Sequence, residues 1–67
     1  MQLHQLLRYV HDNTPIIIFD LKDHQICSVR SKGSIDINLY EYDILDFTVG
    51  QSNIKGCNAA LYITLEK

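Results

Sequence analysis

Four apolar side chains near the start of the chain, Leu3, Leu6, Leu7 and Val10, recur at i, i+3, i+4 and i+7. On a helix of 3.6 residues per turn that spacing gathers them into one stripe, which predicts an amphipathic helix over residues 2–12. His4, Arg8, His11 and Asp12 fall on the other side. Pro15 disfavours helical backbone at Thr14, and Asn13 suits a helix end, so residues 13–15 read as a stop. A helix of this length is marginal alone in water, so something must cover its leucines.

The period then changes. Ile16 to Leu21 is a β-branched run with the pattern of a central strand covered on much of both faces. Lys22-Asp23-His24 reads as a tight polar turn. Gln25 to Arg30 reads as a second strand, with Cys27 and Val29 on one face and Ile26, Ser28 and Arg30 on the other. Ser31-Lys32-Gly33-Ser34 interrupts the pattern. Ile35, Ile37 and Leu39 alternate with Asp36 and Asn38, which fits a short extended piece, while Leu39 to Tyr42 fits one helical turn; the pattern leaves both open. Ile44 to Val49 predicts a further strand, with Leu45, Phe47 and Val49 facing one way and Asp46 and Thr48 the other. Gly50 to Gly56 has turn-forming composition. From Cys57 to Glu66 the alternation of Cys57, Ala59, Leu61, Ile63 and Leu65 with more polar neighbours is the period-2 pattern of a half-buried strand.

These elements predict an α+β fold in a single domain, residues 1–67. An N-terminal helix packs on one face of a small, mostly antiparallel sheet of about four strands. Short connections favour sequential antiparallel pairing, because a parallel crossover needs about a dozen residues or more. The helix is expected to meet Cys27, Val29, Leu45, Phe47, Leu61 and Ile63. Ile26, Ser28, Ile44, Thr48, Ala60, Tyr62 and Thr64 then lie on a second face with no second helix to cover it. Ile26, Ile44 and Tyr62 make that face a candidate for self-association, and a homodimer is expected.

Composition narrows the classes. A chain of 67 residues buries only about 60% of the surface its unfolded form exposes, which leaves little stability for a strained site. Apolar residues make up 46% of it, a globular rather than a disordered share. The net charge is −2 and the six Lys and Arg are scattered. A nucleic-acid binder needs a basic surplus for phosphate contacts, so direct DNA or RNA binding is disfavoured. No apolar run, Ile16 to Phe19 included, approaches the roughly 20 residues of a membrane span. MQLHQLLRYV lacks a continuous apolar signal-peptide core. A cytoplasmic protein with reduced thiols is expected, with no membrane contact.

Candidate chemistry is sparse. His24 and Cys27, with Cys57 and either His4 or His11, could supply nitrogen and sulfur to zinc, but zinc sites usually take two close ligand pairs and here there is one loose pair. Both cysteines fall at inward strand positions, which favours buried thiols. On a strand, His24 and Cys27 differ by an odd offset and point to opposite faces, against a thiolate–imidazole pair. No phosphate-binding glycine loop is present. No enzyme activity, cofactor or metal is expected.

The most distinctive stretch is 35–46, where Asp36, Glu41, Asp43 and Asp46 surround Tyr40 and Tyr42 with no Lys or Arg. Exposed tyrosines anchor protein interfaces, and carboxylates around them would steer a partner with a basic surface. Equally, the acids could serve solubility and the tyrosines cap the core edge.

The leading LxxLLxxV helix, IIIFD, the polar hairpin and the closing ALYITLE strand resemble many small uncharacterised accessory proteins of bacterial phages and mobile elements. Leu3, Leu6, Leu7, Val10, Ile16 to Asp20, Asp43 to Val49 and Leu61 to Leu65 carry the resemblance. It spans most of the chain as layout and hydrophobic pattern, and it transfers no functional residue. It implies a setting in host cytoplasm where small acidic proteins bind and block host machinery, CRISPR nucleases among them. At −2 the chain is less acidic than the strongest DNA mimics.

Overall fold

The apolar stripe at the N-terminus forms one short helix, α1, Leu3–Leu7, in a computed structural model that describes residues 1–52, 56 and 58–67. This is shorter than the predicted 2–12. The Tyr9 N–H donates to the Leu6 carbonyl at 3.0 Å and the Val10 N–H to the Leu7 carbonyl at 3.2 Å. These i→i−3 bonds tighten the last turn and end the helix. Lys32 Nζ donates to the Leu7 carbonyl at 2.8 Å. Val10 still packs against the core, reaching it from a turn rather than a third helical turn.

Four strands follow. β1, Ile16–Phe19, and β2, Gln25–Val29, form an antiparallel hairpin. Its turn is organised by Asp20, whose Oδ1 accepts the N–H groups of Lys22 and His24, both at 2.9 Å. Asp23 takes the left-handed backbone there, with φ +62°, a region that Asp tolerates better than most residues. β3, Ile44–Gln51, and β4, Ala59–Leu65, form a second antiparallel pair.

The pairing is not sequential, as the short connections had suggested. The strand order is β2-β1-β4-β3, and β1 runs parallel to β4. The two most apolar segments thereby take the two central positions. Residues 30–43, between β2 and β3, are long enough to cross over. That crossover contains 3₁₀ turns at Lys32–Ser34 and Ile37–Leu39, so the extended alternative for 35–39 is not the one taken. It buries Ile35 and Leu39 and leaves Ile37 out.

The core is therefore covered by two pieces. Leu3, Leu6 and Leu7 of α1, with Ile35 and Leu39 of the crossover, pack on Ile16, Ile18, Leu61, Ile63 and Leu65 of the central strands. The crossover also holds α1 in place: the N–H groups of Leu3 and His4 donate to the carbonyls of Tyr42 and Tyr40 at 3.0 and 3.1 Å. Helix-start donors with no intrahelical acceptor are thereby satisfied.

Two bulges redirect side chains that a strict period of two would misplace. Ile18 pairs with Cys27 but Phe19 with Gln25, so Ile26 is the extra residue and packs against the core. Ile44 pairs with Leu65 but Asp46 with Thr64, so Leu45 is extra and exposed, and Ile44 packs against the core. Ile26 and Ile44 thus leave the second face, and the predicted self-association trio is not assembled: only Tyr62 lies there. That face carries Ile17, Phe19, Ser28, Thr48, Ala60, Tyr62 and Thr64. The Phe19 and Tyr62 rings stack at 6.3 Å. Ile17 and Ala60 are buried on this face.

Candidate interaction surface

β3 is an edge strand, and its backbone geometry follows from one hydrogen bond. The Leu61 N–H donates to the Pro15 carbonyl at 2.9 Å, so the backbone groups of Leu61 face β1. In an antiparallel ladder, residues opposite each other either both point inward or both point outward. Val49 lies opposite Leu61, and Phe47 opposite Ile63, two residues on. The N–H and C=O of Phe47 and Val49 therefore point away from the sheet. Ile44 is in the same phase, and its N–H reaches the Met1 carbonyl at 2.7 Å. Met1 and Gln2 thus cover the beginning of the edge, since Gln2 bridges to Asp43. Further along, the Gln51 carbonyl accepts the Tyr62 hydroxyl, whose ring crosses β3 over Gly50. A Cβ on Gly50 would stand 3.1 Å from that ring, which is why glycine fits there. Among the described residues, the outward N–H and C=O of Phe47 and Val49 have no bonding partner.

The side chains of the same two residues face the helix side but are not covered by it. Phe47 is 49% and Val49 72% exposed. Both had been expected beneath the helix, as had Leu45. With α1 only Leu3–Leu7 long, the helix covers β1 and β4 and stops short of β3. Between them runs an open groove of about 320 Å³. Leu6, Tyr9 and Val10 form one wall, and Phe47 and Val49 the other, with Leu61 between. His11 and Thr14 are the polar side chains among its lining. Tyr9 stands at 82% exposure. Among the described residues, this apolar groove adjoins an unpaired stretch of strand edge, two features that mark interaction or aggregation surfaces.

The acidic tyrosine stretch is arranged differently. Tyr40 and Tyr42 are half-buried and pack against the core, and Lys67 Nζ lies 5.1 Å from the centre of the Tyr42 ring. Glu41 and Asp43 are exposed beside them. The Asp36 carboxylate accepts the Asn38 N–H at 2.9 Å and caps the second 3₁₀ turn. Asp46 sits on β3 opposite Thr64, on the sheet face away from the core. The turn keeps Tyr40 to Asp43 together, but Asp46 belongs to another surface.

Cys27 is half-buried, and burial first, then the negative charge of Asp36, pushes its thiol up. A thiol so placed is a poor nucleophile at neutral pH. His24 is exposed, with Nδ1 3.6 Å from Asp20 Oδ2. Asp20 is held below the usual carboxylate range chiefly by the His24 N–H. Among the described residues no three His, Cys, Asp or Glu converge on a metal position; Cys57, the other predicted ligand, lies outside them. Among the same residues no helix is long and apolar enough to cross a membrane.

No family model matches the chain, no curated protein matches its sequence, and no solved structure matches its fold.

Proposed function

We propose that this chain is a small non-enzymatic protein-binding module that takes a partner strand along β3 and packs the partner's apolar side chains into the adjoining groove. The observation behind this reading is the double availability of Phe47 and Val49: exposed apolar side chains on one side, unpaired backbone donors and acceptors at the edge. A row of N–H and C=O groups at strand spacing is complementary to another polypeptide backbone, the mode in which a peptide adds a strand to an open sheet. Each such bond contributes about 1 kcal/mol net, and full burial of a Phe or Val side chain about 1.5–3 kcal/mol. Nucleic acid offers no such ladder, and the chain's net charge of −2 gives no basic surplus for phosphate contacts.

The tyrosine–carboxylate stretch supports a binding role less well, because its rings already pack against the core and its carboxylates divide between two surfaces.

The test compares capture from a bacterial lysate by the wild-type protein and by Val49→Pro. The substitution removes an N–H that the sheet does not use, and edge strands admit proline. A protein retained by the wild type and lost from V49P, with unchanged far-UV circular dichroism, is the expected result. Partners held equally by both proteins would place binding elsewhere and overturn the proposal.

A further inference from the structure

We infer that the strand accepted by β3 is β3 of a second copy, running antiparallel about a two-fold axis at Thr48. This rests on the β3 reading above and names its partner. Register selects this pairing. With the axis at Thr48, Phe47 stands opposite Val49 of the second copy, and Val49 opposite Phe47. These are the residues whose N–H and C=O point outward without a partner, so each pair exchanges two backbone hydrogen bonds. On the groove side, apolar Phe47 meets apolar Val49 twice, and the two grooves join across the seam. On the other side Thr48 meets Thr48, a favourable cross-strand pair. Asp46 meets Gly50.

Charge agrees with this register. Asp46 is the one ionisable residue of β3, Ile44–Gln51. About the Thr48 axis the two copies of Asp46 lie four positions apart along the strands, about 13 Å. That exceeds the screening length of about 8 Å at physiological salt.

The neighbouring registers fail on features already described. An axis at Phe47 would set Gln51 against Asp43, where Gln2 already pairs, and Val49 against the bulged Leu45. An axis at Val49 would set Phe47 against Gln51, whose carbonyl is taken by the Tyr62 hydroxyl. Only the Thr48 axis pairs both Phe47 and Val49 with free groups; at its ends it sets Gln51 against the bulged Leu45. Self-complementarity of this kind is what a two-fold interface requires of one surface.

The test combines sedimentation equilibrium with site-directed cross-linking of the full chain. The wild type is expected to dimerise at micromolar concentration. Val49→Pro removes the Val49 donor from both copies, two bonds in all, and is expected to weaken association roughly 30-fold while the circular dichroism spectrum is kept. Under mild oxidation, Thr48→Cys is expected to give a Cys–Cys link between positions 48 of two chains, identified by peptide mapping, because opposed residues that exchange no backbone bonds bring their Cβ atoms closest. Asp46→Cys should link far less. A wild type that stays monomeric at high concentration, yet captures a lysate protein that V49P loses, overturns self-pairing and leaves the binding-module reading standing. A dimer unaffected by V49P overturns both. Linking at position 46 in preference to 48 overturns the register and with it the inference.

Discussion

Replacing Leu39 tests whether the crossover is a structural half of the core cover. Leu39 is 6% exposed and packs with Leu3, Leu6 and Leu7, while Ile37, two residues earlier, is 72% exposed. Truncating a buried leucine to alanine costs about 2–5 kcal/mol, from lost transfer energy and the cavity left behind. At about 0.05–0.15 kcal/mol per residue, a domain of this length has only about 3–10 kcal/mol in total. Leu39→Ala therefore removes a large fraction of the stability, and Ile37→Ala should stay within about 0.5 kcal/mol. In thermal unfolding, 1 kcal/mol corresponds to about 4–8 °C at this size, so Leu39→Ala should lower the midpoint by about 10 °C or more. Leu39→Val, losing about one methylene and so about 1 kcal/mol, keeps a measurable transition if the alanine variant is unfolded. The assay is urea and thermal denaturation followed by circular dichroism, all variants at one protein concentration, because association would shift the midpoint. Equal costs at 37 and 39 would refute the reasoning, since an extended strand would put both residues on one face.

Other outcomes follow from local geometry. Tyr62→Phe loses the hydroxyl bond to the Gln51 carbonyl and should cost about 1 kcal/mol in urea denaturation. Gly50→Ala places a Cβ 3.1 Å from the Tyr62 ring and should be more harmful in the wild type than beside Tyr62→Ala, a coupling read by a double-mutant cycle. Asp20 has its folded-state carboxyl held low by the His24 N–H, so its stabilisation is present above the unfolded value near pH 4 and lost as pH falls below it. Acid titration of stability should accordingly be shallower in Asp20→Asn. Cys27 has its folded-state thiol raised, so its contribution is intact below the unfolded value of about 8.5 and declines as pH rises past it. Alkylation followed by peptide mapping at pH 8 should modify Cys27 more slowly than the same peptide free in solution.

Much of the fold was legible because period reports which side chains share a face. β1, β2 and most of β3 and β4 fall where alternation or β-branched runs placed them. The helix stripe named Leu3, Leu6, Leu7 and Val10 as apolar anchors, and all four pack in the core. Period does not report how much of a stripe is helical: Val10 is reached through a tight turn, and the same spacing serves both geometries. Nor does it see bulges, which shift the phase of every side chain they touch, as Ile26 and Ile44 show. Residues 35–39 misled in the same way, since i, i+4 burial in a 3₁₀ segment and i, i+2 alternation both fit Ile35 and Leu39.

The exposed edge of β3 was hidden in the sequence for a different reason. Alternation in β3 and β4 is alike in sequence, yet one strand is central and the other an edge. Strand order depends on which long connection crosses over, and 30–43 carries no local signal that it brings β4 beside β1 rather than β2 beside β3. Leu45, Phe47 and Val49 therefore read as core, and only the sheet order exposes them. An edge strand facing water is usually short, charged or interrupted by proline. β3 is the longest strand described, with one charge and no proline. The proposed pairing about Thr48 would resolve that mismatch, since it would make β3 an interior strand of a doubled sheet. Its apolar alternation would then be the pattern of a strand covered by a second copy, with Phe47 and Val49 as residues whose core association would complete.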